Sequence, residues 1–151
     1  VRQVKEWTVD TWVLYQAEED WSALTLLVLI AEHHCILFDQ EGHIAREYES
    51  CLQQTGSLVL RNWLKRLRDR KAIIFRSGKL PPIHQGALLR MKFDRSDLPF
   101  VAVAFRSKDK LLVSEDSDYT QKVCDYLQQQ LQVKVLSLSQ ALEIARGTQD
   151  P

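Results

Sequence analysis

The sequence predicts an α/β fold, a sandwich of helices around a mostly parallel sheet. Three observations carry this. Short strand-like runs alternate with helical ones along the chain. Those runs are apolar on both faces, as strands buried between helices are. No internal repeat and no Gly-, Pro- or Ser-rich linker divides the 151 residues, so a single domain over 1–151 is expected, with 147–151 a frayed tail.

The elements follow in order. Val4 to Asp10, VKEWTVD, is β-branched and aromatic and ends at an aspartate, which predicts a first strand. Asp10-Thr11 offers a side-chain cap to a helix over Trp12 to Ala17. Glu18-Glu19-Asp20 interrupts the apolar pattern, and Ser22 to His33 resumes it as a helix apolar nearly all round. His34 to Asp39, HCILFD, is a second buried strand, and Gly42 marks a turn. Ile44, Tyr48 and Leu52 recur at intervals of four, which predicts an amphipathic helix. Gly56 and Ser57 open a basic helix reaching about Arg70. Ala72 to Phe75 is apolar, but its pattern selects neither helix nor strand, and Ser77 to Pro82 reads as a loop. In the second half, Asp97 to Phe105 reads as helix, Leu111 to Ser114 as strand and Tyr119 to Leu131 as helix. Val133 to Leu138 reads as strand, and Ser139 to Ala145 as a closing helix capped by Ser139.

Composition narrows the function classes. Hydrophobic residues make up 45% and charged residues 26%, which excludes a disordered chain. Twenty basic and twenty acidic residues cancel, so any grip on nucleic acid must come from local patches. Cys35, Cys51 and Cys124 are odd in number and form no C-x-x-C, which fits reduced thiols in a cytoplasmic protein and neither a disulfide framework nor a zinc finger. Ala23 to Ala31 is too short to span a bilayer, which takes about 20 apolar residues, so no membrane partner is expected. No secretory signal pattern is read. P-loop, G-x-G-x-x-G and G-x-S-x-G motifs are absent, which disfavours nucleotide-dependent enzymes and serine hydrolases. A phosphatase with Asp-x-Asp after the first strand is excluded by Asp10-Thr11-Trp12, and the acidic pair and lysine of a receiver domain are also missing.

In open α/β sheets, functional residues gather at the carboxyl ends of the strands. Asp10 ends the first strand, Asp116 and Asp118 follow LLVS directly, and Asp97 starts the helix before it. Glu47 lies in the amphipathic helix, off the face of Ile44 and Tyr48. Gathered carboxylates repel one another, and a divalent cation relieves the repulsion. Oxygen-only ligands suit Mg²⁺ or Mn²⁺, and such an ion serves phosphodiester hydrolysis. The plainer reading also stands: Asp10, Asp97 and Asp116 as helix caps, Glu47 as a solvated residue.

These residues resemble the PIN-domain nucleases over about Trp7 to Leu142. Four pieces carry the resemblance: W-T-V-D-T-W-V-L from Trp7, I-A-R-E-Y from Ile44, D-R-S-D-L-P-F-V-A-V-A from Asp94, and L-V-S-E-D-S-D-Y from Leu112. The last two are the most specific. The resemblance implies a three-layer α/β/α sandwich. It implies an acidic quartet of Asp10, Glu47, Asp97 and Asp116 as catalytic metal ligands, with Asp118 as an auxiliary acid and Asp94 sharing the role of Asp97. It implies an endoribonuclease leaving a 5′-phosphate and a 3′-hydroxyl. An antitoxin or other protein partner and a homodimer are known among such proteins. The chain departs from the pattern at Trp12, where the family often has Asn. Thr11 and Ser114 keep hydroxyls beside the acids. Asp39 receives no role beyond capping the turn at Gly42, and His43 is expected on the surface.

RNA must be drawn to an acidic site, and a flanking basic surface usually does it. Arg61 to Lys71 supplies one group of bases, among them Arg61, Lys65 and Arg68, on a helix whose apolar stripe includes Trp63 as core. Either a solvated face or a phosphate-tracking surface fits it. Arg90, Lys92 and Arg95, just ahead of Asp97, form a second group nearer the acids. The leading reading is a metal-dependent endoribonuclease. The competing one is a PIN-like domain without catalysis that binds RNA or protein, and metal titration separates them.

Overall fold

The computed structural model describes residues 3–147, so the expected tail lies outside the described residues from 148 on. The elements are β1 (Glu6–Val9), α1 (Thr11–Gln16), α2 (Trp21–His33), β2 (Cys35–Asp39), α3 (His43–Thr55), α4 (Leu58–Asp69), β3 (Ile73–Arg76), α5 (Pro82–Arg90), α6 (Leu98–Arg106), β4 (Leu111–Val113), α7 (Gln121–Leu131), β5 (Lys134–Leu136) and α8 (Leu138–Ala145). A 3₁₀ turn, Arg95–Asp97, leads into α6.

All strand pairs are parallel, in the order β3-β2-β1-β4-β5. Successive strand residues point to opposite faces. Trp7, Thr8 and Val9 are all fully buried, as are Leu111, Leu112 and Val113, so helices cover both faces and the fold is a three-layer α/β/α sandwich. Helix α6 crosses β1, β2 and β4, and α2 packs on β2 beside α4 and α8. Trp63 belongs to this core, its indole N–H donating to the Leu27 carbonyl at 2.7 Å.

Ala72 to Phe75 resolves into β3, an edge strand with Phe75 54% exposed, which is why its pattern selected no state. Helix α5 was not expected. Only Leu88 is buried on it, so it has no apolar stripe, and Pro82 near its first position starts it by fixing φ. The closing helix is capped by Ser137 and not by Ser139. Ser137 accepts from Gln140 N–H while the Gln140 side chain accepts from Ser137 N–H. Because β5 already ends at Leu136, Leu138 is free to join the helix.

His34 is fully buried at the end of α2. Its Nδ1 accepts from Lys5 N–H at 3.0 Å and its Nε2 lies 2.9 Å from the Ala145 carbonyl oxygen, so the neutral Nε2–H tautomer joins the first strand to the last helix. His34→Ala is expected to destabilise the protein by about 2–4 kcal/mol, from a cavity and an orphaned buried amide. Urea denaturation checks this through the midpoint.

Candidate functional site

From β1 the chain adds β2 and β3 on one side of the sheet and then β4 and β5 on the other, so the strand order reverses between β1 and β4. The crevice beyond the carboxyl ends of these two strands is where such sheets bind ligands. Asp10 leaves β1 there, its N–H donating to the Val113 carbonyl at 3.1 Å. Ser114 leaves β4, its N–H donating to the Leu136 carbonyl at 3.2 Å. The Ser114 hydroxyl donates to Asp10 Oδ2 at 2.7 Å and accepts from Asp116 N–H at 3.0 Å. Asp116 Oδ1 in turn accepts from Asp118 N–H at 2.9 Å. This chain of short bonds sets three carboxylates around one serine.

Asp97 enters from the other side, at the end of the 3₁₀ turn. Asp94 shapes that turn by accepting from Ser96 N–H and Oγ–H at 2.9 and 2.8 Å, which lowers its pKa. Glu47 comes from α3, whose start is fixed by Asp39. The two buried oxygens of Asp39 accept from His43 N–H at 2.9 Å and Ile44 N–H at 2.7 Å. Tyr48 then ties the helix to the end of β1, its hydroxyl donating to the Val9 carbonyl at 2.5 Å. Adjacent to Tyr48, Glu47 is carried to the cavity beside Asp10.

The result is a cavity of about 300 Å³ lined, among the described residues, by six carboxylates, those of Asp10, Glu47, Asp94, Asp97, Asp116 and Asp118, and by no lysine or arginine. Thr11, Trp12, Tyr15, Ser50 and Gln54 complete the lining. One carboxylate oxygen each from Asp94, Asp97 and Asp118 lies within 4.8 Å of the others, a spacing that could hold a metal ion.

The electrostatics follow from burial. Asp97 is pushed up to about 8, first by burial and then by Asp10, Asp118 and Asp94. Asp10 is pushed up to about 6 by burial, with Asp116 and Glu47 adding to the shift and the Ser114 hydrogen bond opposing it. Two hydroxyls buried here have no hydrogen-bond partner, Thr11 Oγ1 and Tyr119 Oη. Burial and the charges of Asp10, Asp97, Asp116 and Asp118 raise the Tyr119 phenol well above its usual range.

The capping readings fare unevenly. Asp10 precedes α1 and Asp97 precedes α6, yet neither carboxylate accepts a side-chain capping bond, which corrects the expectation for Asp10-Thr11. Asp94 does cap, but the 3₁₀ turn only. Asp39 caps α3 rather than the Gly42 turn alone.

The expected substrate residues divide. Thr11 lines the cavity. Ser114 is buried, its hydroxyl bonded to Asp10 and Asp116. None of Arg61, Lys65, Arg68, Arg90, Lys92 and Arg95 lines the cavity. Lys65 pairs with Asp69 at 2.8 Å and Arg68 with Glu49 at 3.3 Å, so this part of α4 behaves as a solvated, ion-paired face.

His43 was missed as a site residue. Its Nε2 lies 2.7 Å from the Ser96 carbonyl oxygen and 3.9 Å from Glu47 Oε1, which joins the start of α3 to the Asp94–Asp97 turn. The spacing of His43 and Glu47, four apart on a helix, was the available signal. Gly78 supports the same helix start from below. A Cβ there would fall 2.8 Å from Asp39 Cβ and 2.9 Å from Glu41 Oε1. Gly78→Ala is therefore expected to cost about 1–3 kcal/mol by overpacking. A lower thermal midpoint checks this.

No family model matches the sequence, and comparison with curated proteins gives no match. Among solved structures, the chain is similar to VapBC2 from Rickettsia felis, solved bound to a DNA fragment from its promoter. The TM-score is 0.50 at 12% identity, covering 87% of this chain and 98% of that one. At that identity the likeness is one of fold. With its parallel five-stranded sheet between helical layers, the chain has a PIN-like α/β fold.

Proposed function

We propose that the protein is a metal-dependent phosphodiester hydrolase, an endoribonuclease that uses Mg²⁺ or Mn²⁺. The observation that carries this reading is the convergence of six carboxylates, with no lysine or arginine among the described lining residues, at the switch point of the sheet. Folding pushes Asp10 and Asp97 to about 6 and about 8, a cost with no structural return in the capping bonds these residues might have made. Perturbed carboxylates in a cleft mark functional sites.

The donor set fits a hard divalent cation. It is all oxygen, three of its carboxylates lie within ligand spacing, and a partnerless threonine hydroxyl stands beside them. Asp94, Asp97 and Asp118, the three within ligand spacing, would hold the ion together with Asp10, Glu47 and Asp116 of the same cavity. The chemistry supplied when the ion is bound is a water of lowered pKa and neutralisation of charge on the scissile phosphate. The chain's own contribution is positional. Ser114 fixes the rotamer of Asp10, the Asp94–Ser96 turn delivers Asp97, and His43 holds the Glu47 helix against that turn. The expected products carry a 5′-phosphate and a 3′-hydroxyl. An antitoxin-type protein partner, in keeping with the VapBC2 likeness, completes the proposal. Among the described residues no helix is long and apolar enough to cross a membrane.

The test is cleavage of a generic single-stranded RNA with Mn²⁺, with Mg²⁺ and with EDTA. Metal-dependent cleavage supports the reading. A protein that neither cleaves nor binds Mn²⁺ leaves the non-catalytic binding module in its place.

A further inference from the structure

We infer that Trp12 is a stacking platform for an unpaired base of a nucleic-acid strand bound at this cavity. The inference rests on the proposed nuclease site and adds what the acids alone do not specify. It starts from an imbalance. Among the described residues the cavity presents six carboxylates and no lysine or arginine to a polyanion, and Arg90, Lys92 and Arg95, just ahead of Asp97, are exposed outside it. Ions bound by the acids would offset part of the repulsion, but the lining still needs an uncharged source of affinity.

Two aromatic side chains supply one. Trp12 and Tyr15 lie three residues apart on α1, hence on one face of that helix, and both line the cavity. Tyr15 is held by its hydroxyl, which donates to Gln54 Oε1 at 2.9 Å. Trp12 is half-buried, packed against the core on one side and open to the cavity on the other, so its ring is anchored and still available. Trp12 is also two residues from Asp10, and both line the same cavity. Beside it, Thr11 Oγ1 is buried without a partner at the cavity wall. Every base has a π-face, so an aromatic platform accepts any sequence. A duplex keeps those faces occupied by its own stacking and offers none.

The experiment measures binding by fluorescence anisotropy with a labelled 12-nucleotide RNA, the same sequence as single-stranded DNA, and the RNA as a blunt duplex. It is done in the Asp97→Asn background so that the probe stays intact. Trp12→Leu keeps apolar bulk without a flat face, and Trp12→Phe keeps the face. The expected result is a loss of about 5- to 100-fold on single strands for Trp12→Leu, near-full retention for Trp12→Phe, and no change on duplex. Equal loss on RNA and DNA assigns the contact to the base alone. Loss on RNA only adds a ribose contact, and both outcomes support stacking. Single abasic substitutions in the RNA, read with Trp12 intact, give the same penalty at one position and do not depend on the Leu variant folding. Unchanged single-strand affinity in Trp12→Leu, an equal loss on duplex, or no binding of any probe overturns the inference. Mn²⁺ titration of the unmodified protein keeps the two readings apart. Trp12-dependent binding without Mn²⁺ binding sinks the nuclease and leaves stacking, and the reverse sinks stacking alone.

Discussion

Asp97→Asn is expected to lower metal-dependent RNA cleavage by about 10²–10³-fold or more while raising the melting temperature of the metal-free protein at pH 8. The two effects have one cause. Asp97 is 9% exposed and faces Asp10, Asp118 and Asp94, so its ionised form is opposed by burial and by three like charges. Its folded pKa of about 8 stands above the ordinary carboxyl value of 3.8. A group raised in this way stabilises the folded state fully below pH 3.8, and that contribution is lost as pH rises through about 8. At pH 8 the metal-free protein therefore carries the strain, and a neutral amide of the same shape removes most of it. Solvent at the cavity mouth screens part of the interaction, which leaves a gain on the order of 1–3 kcal/mol. For a chain of this size that is about 2–12 °C. The difference should narrow as pH falls and close only below about 3.8, where Asp97 is protonated in the folded and the unfolded chain alike. A variant less stable than the parent at pH 8 would make Asp97 a structural carboxylate, and the metal reading would lose its main support.

The strand-end acids were legible because their position follows from chain order. A buried strand ending in an aspartate places that aspartate at the carboxyl edge of the sheet, so Asp10 and Asp116 could be assigned from β1 and β4 alone. Glu47 could not be assigned in this way. Its approach to Asp10 depends on Asp39 capping α3 and on the buried Tyr48 hydroxyl reaching the Val9 carbonyl, contacts between residues up to 39 positions apart. The role of Ser114 was hidden for the same reason, since its partner Asp10 is 104 positions away. Elements with weak patterns were the ones that went unread. β3 is a half-exposed edge and α5 buries one leucine, so neither carries the periodicity from which burial is inferred. For the basic residues charge is legible from sequence while direction is not: Lys65 and Arg68 lie in exposed pairs with Asp69 and Glu49.

Mn²⁺ is expected to stabilise the protein strongly at pH 8 and hardly at all at pH 5.5. Binding an ion requires the carboxylates in their charged form, so protons held by Asp97 and Asp10 compete with it. At pH 8 about half of the Asp97 proton is already gone and Asp10, at about 6, is ionised. At pH 5.5 both groups are mostly protonated. Each proton displaced weakens binding about tenfold per pH unit below the group's pKa, so affinity falls by at least ~10²-fold across this window. With the ion at 100 times its pH 8 dissociation constant, the stabilisation at pH 8 is about 2.7 kcal/mol, or about 5–11 °C, and at pH 5.5 it is below ~0.5 kcal/mol. The sign is opposite to that of the metal-free protein, whose Asp10 and Asp97 contributions fall as pH rises. The ion and the protons compete for the same strained carboxylates. Differential scanning calorimetry at both pH values, with Mn²⁺ and with EDTA, reads this directly. Equal gains at the two pH values would place the ion on acids other than Asp10 and Asp97, whereas a gain that disappears in Asp97→Asn ties it to the pair that folding has set under strain.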